Sequence, residues 1–159
     1  MRPGLRERKA AKRRRQRVRE QGERHVVGAH WIAVERFCRA VETLPVVIES
    51  GGVTVLAHPW GRHGADSLPA AAIAELAGLG LAGLEVDHQD HRPEDRHRLR
   101  EIAESLSLVV TGSSDHHGLG KHDHELGCNT TAPDQYERLL DLAAAASARS
   151  GRDTPTVIG

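Results

Sequence analysis

Gly51-Gly52-Val53-Thr54-Val55-Leu56-Ala57-His58-Pro59 opens on a turn signal, runs through a short β-branched apolar stretch and stops at a histidine and a proline. The glycines end whatever precedes them, and Val53–Ala57 has the make-up of a short buried strand. The pattern recurs twice. Leu84–Asp87 forms a second strand within Gly83-Leu84-Glu85-Val86-Asp87-His88, trailed by Asp90 and His91. Leu108–Thr111 forms a third, which runs into Gly112-Ser113-Ser114-Asp115-His116-His117-Gly118. Helices fall between and after them. Ser67 and Pro69 open one with Ile73, Leu76 and Leu79 on one face, ending at Gly80. Pro93, Glu94 and Asp95 open another, with Leu99, Ile102, Ala103 and Leu106 at helical spacing. Pro133 starts the last, carrying Tyr136, Leu139, Leu140 and Ala143. A βαβαβα order implies right-handed crossovers and a parallel sheet.

The chain has 159 residues, whereas a full (β/α)₈ barrel takes about 250. Three strands also leave two edges to be covered. The expected architecture is therefore a piece of a larger barrel, or an assembly completed by a second chain or a second copy.

Upstream, Trp31, Val34, Phe37, Cys38, Val41 and Leu44 lie three and four residues apart, which predicts an amphipathic helix interrupted at Pro45. Residues 1–24 differ in kind. They hold eleven Lys/Arg against three Glu, a net +8, so the remainder of this neutral chain carries −8. With only Leu5 and Val18 as sizeable apolar side chains beyond Met1, that arm cannot bury enough surface to offset its ordering entropy. It reads as a solvated tail, or as an arm that binds nucleic acid nonspecifically through phosphate contacts by residues 2–24. The expected organisation is thus a basic arm (1–24), a helical lead-in (25–50), an α/β unit (51–147) and a flexible tail (148–159). No run approaches 18 uninterrupted apolar residues, and the basic start is not followed by an apolar segment, so neither a membrane span nor an export signal is expected. Cys38 and Cys128 are then expected as reduced, buried thiols in a cytoplasmic protein.

In parallel α/β folds, chemistry gathers at the C-terminal ends of the strands. Here all three strand ends carry His, Asp or Glu, a set suited to a divalent metal such as Zn, Mn or Fe. His58 sits between an apolar strand and a proline. Asp115 and His117 are two apart after a strand and can project the same way. Glu85 shares a face with Asp87 if the strand stays regular to its end, and it then either lines the pocket or pairs with an arginine. His88 and His91 are open in the same way. His63, His97, His122 and His124 are expected to be solvated, including the Lys121-His122-Asp123-His124 run.

Taken in order, the three motifs resemble the C-terminal motifs of PHP (polymerase and histidinol phosphatase) domain phosphoesterases, over Gly51 to about Leu142, 92 residues. The resemblance implies part of a distorted (β/α)₇ TIM-like barrel, incomplete at its N-terminal side, with divalent metal ions (Mn, Zn, Fe or Mg) at its mouth. It implies His58, Asp115 and His117 as metal ligands; Glu85, Asp87, His88 and His116 are expected, from their place at the strand ends, to bind substrate or support those ligands. The implied substrates are nucleotide phosphates or RNA 5′ ends. The family has an aromatic residue where this chain has His116, and it opens on a His-x-His motif that His25 and His30, five apart, do not reproduce. With that half missing, weak or no activity of the chain alone is expected. The alternative is a non-catalytic nucleic-acid-binding fragment that uses the basic arm.

Overall fold

The computed structural model describes residues 29–61, 64–118, 122–154 and 156, with side chains in the first helix from Phe37 onward. The basic arm, His25, His63 and Lys121 lie outside the described residues. Among the described residues, no helix is long and apolar enough to cross a membrane.

The elements are α1 (Ala29–Glu49), β1 (Val55–Leu56), a 3₁₀ turn (Gly64–Ser67), α2 (Ala70–Gly78), β2 (Gly83–Asp87), α3 (Pro93–Ser105), β3 (Val109–Gly112) and α4 (Pro133–Arg149). Both strand pairs are parallel, in the order β1-β2-β3. The alternation read from the sequence is therefore present as a three-stranded parallel sheet. Prolines start α3 and α4, where a missing N–H costs nothing. Leu79 and Leu106, in the bridge region of backbone space, stop α2 and α3.

Two expectations need correction. Pro45 does not interrupt the first helix, which continues to Glu49. An interior proline forfeits one hydrogen bond and costs about 3 kcal/mol in isolation. Burial of Leu44 in the core offsets that cost, with Phe37 and Val41 packed beside it. The end is then secured by Ser50 N–H to Val46 C=O, Gly52 N–H to Val47 C=O and the Ser50 hydroxyl to Val47 C=O. The cysteines are both free, as expected, but neither is buried: Cys38 is half-buried and Cys128 exposed.

The core is Leu84 and Val86 of β2, Val109 of β3, Ile73 and Leu76 of α2, Leu99 and Ala103 of α3, and Trp60. Trp60 is 1% exposed; its indole N–H donates to Leu68 C=O at 2.8 Å, and Arg98 lies over its ring at 5.4 Å. Strand β2 has neighbours on both sides, which leaves room only for glycine at its start: a Cβ on Gly83 would stand 2.8 Å from Val109 O. Towards its end, the β2–β3 register shifts between Glu85 and Asp87, a bulge-type irregularity of the sort that re-aims side chains beside sites.

The outer edge of β3 is covered by side chains rather than by a strand. Val110 N–H donates to Gln135 Oε1 at 3.1 Å, and Gly112 N–H donates to Thr131 Oγ1 at 3.1 Å. Arg138 donates to the carbonyls of Ser107 and Leu108.

Candidate metal centre

Strand β1 delivers His58, β2 delivers Glu85 and Asp87 with His88 just beyond, and β3 delivers Asp115. One ligand atom from each of His58, His88 and Asp115 lies within 4.8 Å of the others. The rings of His58 and His88 are 4.7 Å apart between centroids. Among the described residues, the His58 ring has no hydrogen-bond partner.

Both His58 (φ 27°) and Asp115 (φ 46°) hold left-handed backbone, which non-glycine residues adopt at a cost. Each is held by its surroundings. His58 N–H donates to Glu85 Oε2 at 2.6 Å. Asp115 N–H donates to Ser113 Oγ at 3.0 Å. The preceding residue, Ser114, is clamped from the 122–128 loop: its carbonyl accepts from His124 Nδ1 at 2.9 Å, and its hydroxyl oxygen accepts from Gly127 N–H at 2.9 Å.

The bulge decides the fate of the two β2 carboxylates. Because the strand is not regular to its end, Glu85 and Asp87 do not act as a pair. Glu85 is buried and turns to His58, whereas Asp87 takes Arg100 through both oxygens at 2.8 and 2.9 Å. His117 lies at the rim, largely exposed, with Nε2 2.9 Å from Asp115 Oδ1. It touches the site through Asp115 and falls outside the tight group of three. His116 is exposed and tied by Nδ1 to His124 C=O at 2.9 Å.

One histidine behaves differently from the sequence reading, and another that it left open has a clear place. His124 is not solvated: it is 5% exposed, clamps Ser114 and brings Nε2 to 3.8 Å from Asp90 Oδ1. His91, left open, is a structural residue. Trp60 N–H donates to its Nε2 at 3.2 Å, and its Nδ1 donates to Val86 C=O at 2.8 Å. His97 and His122 are exposed, as expected. Burial lowers the pKa of His88; the Glu85 carboxylate opposes this and the neighbouring His58 adds to it.

Comparison with known proteins points to phosphoesterases, one of them described as metal-dependent. No protein-family model matches the chain. Over 79 residues it is 43% identical to a phosphoribosyl 1,2-cyclic phosphate 1,2-diphosphodiesterase from Eggerthella lenta, an alignment covering 50% of this chain and 28% of that protein. A crystal structure from Bifidobacterium adolescentis, described as a candidate metal-dependent phosphoesterase, superposes with a TM-score of 0.60 at 38% identity. That match covers 65% of this chain and 36% of the other. The chain is similar to part of each of these phosphoesterases, in line with the PHP resemblance. It spans about a third or less of the length of these phosphoesterase relatives.

Proposed function

We propose that the chain carries part of the metal centre of a divalent-metal-dependent phosphoesterase, a hydrolase, with His58 and Asp115 as ligands and His117 joining them from the rim. The observation that carries this reading is the convergence of His58 and Asp115, delivered by different strands, within a group spanning 4.8 Å. The donors fit a divalent cation. His58 is an imidazole with no competing hydrogen bond among the described residues, Asp115 is a carboxylate, and both lie on loops held rigidly by neighbours. Such N/O sets suit Mn, Zn or Fe, and Mg where carboxylate and water dominate. When bound, the ion supplies Lewis-acid polarisation and charge neutralisation at a phosphoryl group.

The chain's own residues do the rest. Glu85 fixes the backbone that presents the His58 ring. Ser113, His124 and Gly127 fix the loop that presents Asp115. His117 offers Asp115 its Nε2, which leaves Nδ1 as the nitrogen available for a ligand or a proton. The substrate class is a phosphate ester, with nucleotide phosphates or RNA 5′ ends implied by the PHP resemblance. The name of the Eggerthella relative, a diphosphodiesterase for a phosphoribosyl 1,2-cyclic phosphate, describes the same reaction class. Three ligand positions hold one ion, and weakly. A two-ion mechanism needs further donors, which a complementing chain, a second copy or more of a barrel would bring.

The test is calorimetric titration with Mn²⁺ and Zn²⁺, followed by hydrolysis assays on a nucleoside 3′,5′-bisphosphate and a 5′-phosphorylated RNA, each with a His58→Ala control. Binding of one ion that the control loses, with slow turnover or none, is expected. Failure of the chain to bind either ion would overturn the reading. Robust turnover that the control abolishes would show that this chain builds a complete site.

A further inference from the structure

His88 is fully buried, and its two ring nitrogens have different surroundings. The backbone N–H of Asp90 donates to Nδ1 at 3.1 Å. A ring nitrogen that accepts a hydrogen bond carries no proton, so the proton of the neutral ring resides on Nε2. Nε2 is sealed from solvent and makes no hydrogen bond to any of the described residues. The carboxylate oxygen it faces is Asp115 Oδ2, at 3.5 Å.

This arrangement is the reverse of what a histidine ligand needs. A ligating imidazole offers a bare nitrogen to the ion, and its other nitrogen carries a proton donated to a carbonyl or carboxylate. In His88 the outer nitrogen faces a donor, which forces the proton onto the nitrogen that faces the site. His91, three residues on, shows the opposite assignment. There Nε2 accepts from Trp60 N–H and Nδ1 donates to Val86 C=O, so both nitrogens are satisfied.

Asp115 is the residue that benefits from such a donor. Its backbone is left-handed, and its Oδ1 is engaged by His117 Nε2 at 2.9 Å. A second imidazole, with its Nε2 3.5 Å from Oδ2, stands at the carboxylate's other oxygen, within reach to bias rotation about the Cβ–Cγ bond.

We propose that His88 stands outside the coordination sphere and is a positioning residue: the Asp90 backbone locks it as the Nε2–H tautomer, and that N–H orients Asp115 Oδ2. The proposal rests on the reading of Asp115 as a metal ligand. It assigns the geometric trio of His58, His88 and Asp115 two ligands and one donor.

Long-range ¹H–¹⁵N correlation NMR on the full, metal-free chain reads the tautomer directly, and the Nε2–H form is expected for His88. An Nδ1–H form overturns the proposal. Zinc titrations of His88→Gln and His88→Ala then separate positioning from ligation. Glutamine keeps an N–H donor but is a poor zinc ligand, so its affinity should stay within about threefold of the unaltered chain. Alanine should lose about 10- to 100-fold, as partners of ligands commonly do. Glutamine no better than alanine would overturn the positioning role. If the unaltered chain binds no zinc, it is the proposed function that fails, and the metal-free spectrum then decides the role of His88 by itself.

Discussion

The backbone N–H of His58 donates to Oε2 of Glu85, 27 residues away and one strand over, at 2.6 Å. This charge-assisted bond holds His58 at a φ of 27° and so sets the direction of its ring. Hydrogen bonds to charged groups contribute about 1.5–3 kcal/mol. Glu85→Ala is expected to lose stability of that order in urea unfolding and to weaken metal binding at the same time. Glu85→Gln, which keeps an acceptor oxygen, should recover much of both. Wild-type metal affinity in the alanine variant would refute the coupling.

Gly112 ends β3 against the loop that enters α4. A Cβ there would stand 2.5 Å from Thr130 O and 3.0 Å from Asp87 Cβ. The contact is with backbone, which cannot swing aside. Gly112→Ala should therefore cost about 1–3 kcal/mol, the usual range for overpacking, measured as a lower denaturation midpoint. An unchanged midpoint would mean that the Thr130 segment yields freely.

Binding to the folded state alone adds stability by mass action. At 100 times its dissociation constant, Zn²⁺ or Mn²⁺ should add about 2.7 kcal/mol. A chelator should reverse the gain, and His58→Ala should show none. An equal gain in His58→Ala would place the bound ion elsewhere on the chain.

Burial lowers the folded-state pKa of His88 below the ordinary histidine value. The unfolded chain then binds a proton more readily than the folded one in the window between the two pKa values. Stability contributed by neutral His88 is fully present above the unfolded pKa of about 6.5 and is lost as pH falls below it, at up to about 1.4 kcal/mol per pH unit. The loss levels off beneath the folded-state pKa. Comparing metal-free wild type with His88→Gln between pH 7.5 and 4.5 isolates this component. Identical slopes would show that His88 does not contribute.

Proline and glycine punctuation made the alternation of strands and helices legible, because those residues act on the backbone locally. Pro45 misled for the complementary reason: whether a helix survives an interior proline depends on what its flanks bury, here Leu44 against the core. That His58 and Asp115 come together was readable because each lies within three residues of the end of an apolar strand. The separate fates of Glu85 and Asp87 were not, since they turn on a register shift between paired strands. Nor was the role of His124, which reaches back ten residues to the Ser114 carbonyl through a loop with no periodic pattern. Side-chain spacing in a strand says which way a residue points only while the ladder stays regular.

The side chains that line β3 have a consequence for exchange with solvent. Val110 and Gly112 turn their amides away from β2, so in a bare edge strand these two protons would exchange with deuterium within the time of a short labelling pulse. Gln135 and Thr131 accept those protons instead. Their exchange is thereby tied to release of the start of α4 rather than to fraying of the sheet. Gln135→Ala should accelerate the Val110 amide selectively, and neighbouring Val109, bonded to Ala82 C=O, should keep its protection. With those two amides taken, β3 presents fewer open ladder positions to another chain than a bare edge strand would.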